Sequence, residues 1–343
     1  MPRPKTIDLA AIGREILDRM ELRRVAGTGA GAYAAHPDGD HPDLYACVDV
    51  LHMLVVMGRE PSTHLTAKEK TEWADQIRAF QRMDGGFDGV FTIHSQWHAL
   101  GMVIGALGPL GQPLKYRHGL FDGLRDTANV PAWLERIDWA RQWQASHLFW
   151  GGMHCFSTSK HCPPEWKDAV FAWLNRELDF ETGWWRRGVP HADRHQAPGG
   201  SAHIVPVYQH AGREFPRPEA LLDSVLALQL PQGNWLAQED AYPVSYLDLD
   251  ALYLLRFAAA QRPGYRADEV RVAAECFGDF VLGLWHRDRD TLFAEHPHHI
   301  LGLAGSLGLL QQHLPERFSD SRKWSDIFSD RQLYQTDVAC PLE

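Results

Sequence analysis

A turn repeated along the chain constrains its fold more than any single motif. Gln81-Arg82-Met83-Asp84-Gly85-Gly86-Phe87 and Gln229-Leu230-Pro231-Gln232-Gly233-Asn234-Trp235 share a Gln, a Gly and a closing aromatic at equal spacing. Trp285-His286-Arg287-Asp288, running on to Leu292-Phe293, and Glu181-Thr182-Gly183-Trp184-Trp185 are looser versions. Each follows one helical pattern and precedes another. Self-similarity at a fixed period sets a whole architecture, and about 50 residues suits a two-helix unit with a sizeable loop.

Six segments read as inner helices, opening near Pro42, His94, Ala140, Gly200, Ser245 and Pro297. Bodies such as Leu100-Gly101-Met102-Val103-Ile104-Gly105-Ala106-Leu107 mix glycine with aliphatic residues. Glycine weakens a helix by about 1 kcal/mol relative to alanine, so its abundance implies helices crowded around a common axis. The intervening segments are amphipathic: 217–230 places Leu221, Leu222, Val225 and Leu226 on one face, and 67–81 and 164–178 behave alike. No series of strands is evident. The expected fold is all-α, an (α/α)6 barrel or toroid of inner and outer helices, with 1–343 a single domain.

The balance of 34 basic against 44 acidic residues, net −10, has no basic block, which argues against a nucleic-acid partner. No apolar run reaches about 18 residues, so no membrane span is expected. Met1-Pro2-Arg3-Pro4-Lys5 lacks the apolar stretch of a secretory signal. The five cysteines are scattered without ligand spacing, as suits reduced thiols, and a cytoplasmic location is expected. Gly27-Thr28-Gly29-Ala30-Gly31 reads as a lid or connection.

The turns at 81–87 and 229–235 resemble the repeats of the terpenoid cyclase and protein prenyltransferase superfamily, where Gln, Gly and Trp or Phe recur between outer and inner helices. The resemblance implies a toroid with a pocket at one mouth. The catalytic motifs depart from it. Asp248-Leu249-Asp250-Ala251 lacks the last acid of the Asp-x-Asp-Asp motif of class II cyclases, and no Cys lies near Asp248 or His298 to complete a prenyltransferase zinc set. Polysaccharide lyases and other sugar enzymes share such barrels, so fold alone does not choose the chemistry.

Histidines gather at the openings of the expected inner helices: His41, His94, His98, His191, His195, His203, His296, His298 and His299. In a closed ring these openings converge on one mouth and line one pocket. His94 and His98, four apart and flanking Trp97, have the spacing of a metal pair that Glu295, His296, His298 or His299 would complete. Without a compact signature such as His-Glu-x-x-His they are read as pocket lining, and no metal or cofactor is expected. His203 is either a packing residue or a general base, since imidazole titrates near about 6.5. Of Tyr242 and Tyr246, one packs in the wall and the other donates a proton. Asp248 is a charge at a helix N-terminus or an acid. Trp184-Trp185-Arg186-Arg187 offers indole faces for a sugar and guanidinium groups for its carboxylate, with cation–π packing as the structural alternative.

These residues point first to a carbohydrate-active enzyme, a lyase opening a uronate-containing saccharide by β-elimination. His203 is its base, Tyr246 or Tyr242 its acid, and Arg186, Arg187 or a histidine neutralises the carboxylate. His94 and Asp248 stand with these catalytic residues, and Trp97, His98, Trp184, Trp185, Arg186, Arg187, Trp235, His298 and His299 surround the substrate. A second expectation is a terpenoid cyclase-like enzyme protonating an alkene with Asp248 and Asp250. A third is a toroid that binds a small molecule without turnover.

Overall fold

The computed structural model describes residues 6–186, 188–189, 195–235 and 244–341. They are mostly helical. Among them the only strands, Ile7–Asp8 and Phe318–Ser319, form one short parallel pair. No helix there is long and apolar enough to cross a membrane.

Eleven helices carry the description: α1 Leu9–Glu21, α2 Leu44–Val56, α3 Ala67–Ala79, α4 Gln96–Leu110, α5 Leu148–His154, α6 Pro164–Glu177, α7 Gln196–Ala211, α8 Pro218–Leu228, α9 Tyr246–Gln261, α10 Ala267–Arg287 and α11 Pro297–His313. Local chemistry explains their starts. Asp43 and Ser95 cap α2 and α4 by accepting backbone N–H groups, Thr66 and Glu69 form a capping box on α3, and α6, α8 and α11 open on proline. Helices α2, α4, α7, α9 and α11 are buried along nearly their whole length, as expected of segments apolar all round. By contrast α3 buries only Trp73, Ala74 and Ile77. In space α2 packs against α4 and α11, α5 against α4 and α7, and α9 against α7 and α11; α3 lies outside α2 and α4, α8 and α10 outside α9.

The repeated turn has a clear structural task. Gln81 Nε2 donates to Gly85 O at 3.2 Å within its own turn and to Tyr116 O at 2.9 Å, while its Oε1 accepts from Tyr116 N. Gln229 Nε2 repeats this, reaching Gly233 O at 2.7 Å and Ala273 O, in the next outer helix, at 2.9 Å. Gly85 and Gly233 have φ of 88° and 106°, where a side chain is strained, and a methyl on either would press on the backbone of the same neighbouring segment. The aromatic closing each turn, Phe87 or Trp235, is buried. The 285–293 stretch differs: α10 runs through Arg287, and Arg289–Ala294 is a short helix holding Phe293 against Trp285. The 27–31 string is a connection packed on Trp73, with Ala30 N bonded to Glu72.

The third inner unit departs from the expected helix near Ala140. Short turns precede a π-helical stretch, α5, where Gly151 and Gly152 press against Trp97. After α11 the chain crosses the C-terminal ends of α2 and α11, with Ser325 N on Val56 O and Trp324 N on Gln311 Oε1. Tyr334 OH joins this tail to α5, donating to Ile327 O and accepting from Trp150 Nε1.

A methyl on Gly151 would lie 1.7 Å from Trp97 O, a backbone atom that cannot step aside. Gly151→Ala should therefore lower the unfolding free energy by about 3 kcal/mol, as overpacked cores do. Gly119→Ala, whose methyl meets nothing nearer than 3.8 Å, should stay within about 0.5 kcal/mol of the parent. Denaturant midpoints of the two variants test this.

Candidate functional site

A cavity of about 370 Å³ opens at the N-terminal ends of α4, α7, α9 and α11. Ile93, His94, His98 and Met102 enter it from α4 and its approach, Trp143, Gln144, His147 and Trp150 from the irregular third unit, and His195, Gln196 and His203 from α7 and the residue before it. Ser245, Tyr246 and Asp250 come from α9 and its cap, His298 and His299 from α11, and Ile327 and Phe328 from the tail. A wider hollow of about 540 Å³ near α7 and α9 has arginines already spent on acidic partners, Arg213 on Asp168 and Arg262 on Glu214 and Glu219.

The imidazoles form a continuous cluster. His94 and His98 stack at 3.8 Å between centroids, His147 stands 4.7 Å from His98 and 5.4 Å from His203, and His298 stands 5.1 Å from His94. His94 is not on the helix: it lies one residue before the Ser95 cap, and the stacking arises from the turn. Three of the rings have one nitrogen anchored. His298 Nδ1 lies 3.0 Å from Asp49 Oδ2 and 3.3 Å from Tyr246 OH, and His98 Nδ1 lies 3.0 Å from Tyr45 OH. His203 Nδ1 meets Ser146 Oγ at 2.7 Å. That hydroxyl also lies 2.8 Å from Trp143 O; with its single proton on that carbonyl, Nδ1 is the donor and His203 Nε2 keeps its lone pair.

Burial sets the charge state. It lowers the His94 pKa to about 3 and those of His203 and His299 to about 4, and holds His98, His147 and His298 well below the ordinary imidazole value. Burial, with the nearby Asp248 charge, pushes Asp250 well above the usual carboxylate range. Its Oδ2 has no hydrogen-bond partner. Asp49 is raised too, by burial first and by the nearby Asp43 charge. Among the described lining residues there is no lysine or arginine.

Several expected site residues lie elsewhere. Asp248 is the buried capping acid of α9, accepting from Trp235 N at 2.7 Å and from Ser245 N and Oγ. Trp235 and Trp185 are wall residues whose indole N–H groups donate to Val225 O and Leu174 O. Trp184 is buried beside them. Arg186 pairs with Glu135 and Glu177 over the Trp173 ring, leaving no free guanidinium for a substrate carboxylate. Trp97 packs edge-on against Trp133. Tyr242 and Arg187 lie outside the described residues. Conversely, His147, Trp143 and Trp150 line the cavity without having been singled out; His147 follows His98 by about one period, the signal that would have found it. Asp49, Tyr45 and Phe328 carried no such signal.

No known protein family, characterised protein or solved structure matches this chain.

The neutral histidines predict acid sensitivity. Unfolded imidazoles take up protons as pH falls below about 6.5 while the buried ones do not, so the unfolded state binds more protons and stability falls with pH. Each such histidine contributes a slope of about 1.4 kcal/mol per pH unit between about 6.5 and its folded value. Asp49 and Asp250 act with opposite sign, since they hold protons in the folded state that the unfolded chain releases above about 3.8, but the histidines outnumber them. Thermal melts should show the midpoint dropping steadily from pH 6.5 to 4.5; a flat or rising midpoint would contradict these charge states.

Proposed function

We propose that this protein is a lyase-type enzyme that eliminates across a carbon–oxygen bond of a hydroxylated small molecule, a uronate-type sugar being the simplest substrate, within an (α/α)6 barrel of the terpenoid cyclase-like kind. The barrel reading is supported by the order of helix contacts, which runs α2, α4, α5, α7, α9, α11 and back to α2. The catalytic reading rests on one observation. His203, whose Nδ1 is held by Ser146, and Asp250, whose carboxyl burial pushes toward its protonated form, line the same cavity.

Elimination needs that pairing. His203 Nε2 takes the proton from carbon next to a carbonyl or carboxylate, the carbon–oxygen bond at the next carbon breaks, and the departing oxygen takes the Asp250 proton, leaving a carbon–carbon double bond. The imidazolium and carboxylate left behind return to neutral by proton exchange with solvent. Asp250 suits the acid role better than Tyr246, whose hydroxyl is engaged by His298. Trp143 and Trp150 supply stacking faces. A volume of about 370 Å³ favours a small molecule or chain end over the middle of a polymer.

A second reading, alkene protonation by Asp250 in the manner of a cyclase, draws support from Trp143, Trp150, Phe328 and the lack of cationic side chains among the described lining residues. Basic imidazoles count against it, because they would intercept a carbocation.

Offered a panel of uronate oligosaccharides, the protein should generate the ultraviolet absorbance of an unsaturated product. His203→Gln and Asp250→Asn should each cut kcat by about 10²-fold or more while saccharide binding persists by calorimetry. No absorbance across the panel, with cyclised products from isoprenoid substrates instead, would move the assignment to the second reading.

A further inference from the structure

We propose that His94, His98 and His298 bind one divalent transition-metal ion, zinc by the chemistry of its donors, with a fourth coordination position open to the cavity. One ring nitrogen from each of the three lies within 4.8 Å of the others. Tetrahedral ligands held at 2.0–2.1 Å from zinc stand about 3.3 Å apart, so the set closes once His94 turns out of its stack on His98. His94 has the freedom to turn, since it precedes the helix and is only partly buried.

The other two ligands are already oriented. Asp49 Oδ2 engages His298 Nδ1 and the Tyr45 hydroxyl engages His98 Nδ1, both at 3.0 Å, which leaves Nε2 as the free ligand atom of each. A carboxylate or hydroxyl on the far nitrogen is the support that metal-bound histidines receive, fixing tautomer and ring direction. Two further observations ask for a cation. Asp49 is fully buried and its Oδ1 has no hydrogen-bond partner, as is true of His94 Nδ1.

Three nitrogen ligands and an open position make a catalytic rather than a structural zinc geometry. The ion would add to the cavity the positive charge that its described side chains lack, and so a place for a carboxylate or carbonyl oxygen. The metal site itself stands on the three imidazoles and their partners, independently of the elimination reaction.

The test is metal binding, read without substrate. Chelator-treated protein titrated with Zn²⁺ by calorimetry should bind one equivalent, and Co²⁺ should give the intense visible absorption of a tetrahedral site. His94→Gln, at a partly exposed turn position that folding tolerates, should lose at least tenfold in affinity, and Asp49→Asn about 10- to 100-fold. His299→Gln, which alters the cavity but not the ligand set, should bind as the parent does. The proposal is overturned if the parent takes up no stoichiometric Zn²⁺, or if His94→Gln and His299→Gln bind it equally well. Stoichiometric Zn²⁺ binding by a parent protein that turns over no uronate saccharide would instead sink the elimination reading alone.

Discussion

Everything in the molecule depends on a glutamine amide that serves two masters. Gln81 and Gln229 each close their own turn through a glycine carbonyl and reach across to the backbone of the next unit. A side-chain amide has two donors and an acceptor, and here the donors are divided between local and distant partners. The adjoining glycine lets two backbones approach within a distance that a Cβ forbids. Turn and docking are thus one event, which is why the residues recur as a set. Where the glutamine is replaced, at Leu178, the turn survives as a one-residue-longer loop, and Ser224 makes the link by donating to Thr182 O.

The cavity follows from that docking. Helix ends brought together place imidazoles from four parts of the chain in mutual contact, with too little water to support their charge. Desolvation then works on acids and bases in opposite senses, and both end up uncharged. Such a site has proton donors and acceptors but little field of its own.

Helical content and the turn chemistry were legible in the sequence because both are local: periodic apolar residues, proline and capping residues at starts, glycine where φ turns positive. The concentration of histidines at helix openings was legible for the same reason: of those it named, His94, His98, His195, His203, His298 and His299 line the cavity, His41 and His296 do not, and His191 lies outside the described residues. The indoles misled. Trp184, Trp185 and Trp235 carry the same side chain as Trp143 and Trp150, and nothing in their neighbours' identities says which face the wall and which the void. Asp248 and Asp250 differ by two positions and by everything in role, since a turn of about 200° on a helix takes one to the cap and the other to the cavity.

By itself, the sequence determined that the chain is helical, where its turns fall and which residues those turns require, because backbone preference and side-chain reach act within a few residues. Only the tertiary structure decided which side chains are desolvated together. That is where Asp49 acquires His298 as a partner, Arg186 is consumed by two glutamates, and a tail segment puts Phe328 into the cavity. Burial is a property of everything that surrounds a group, and no stretch of sequence contains its own surroundings.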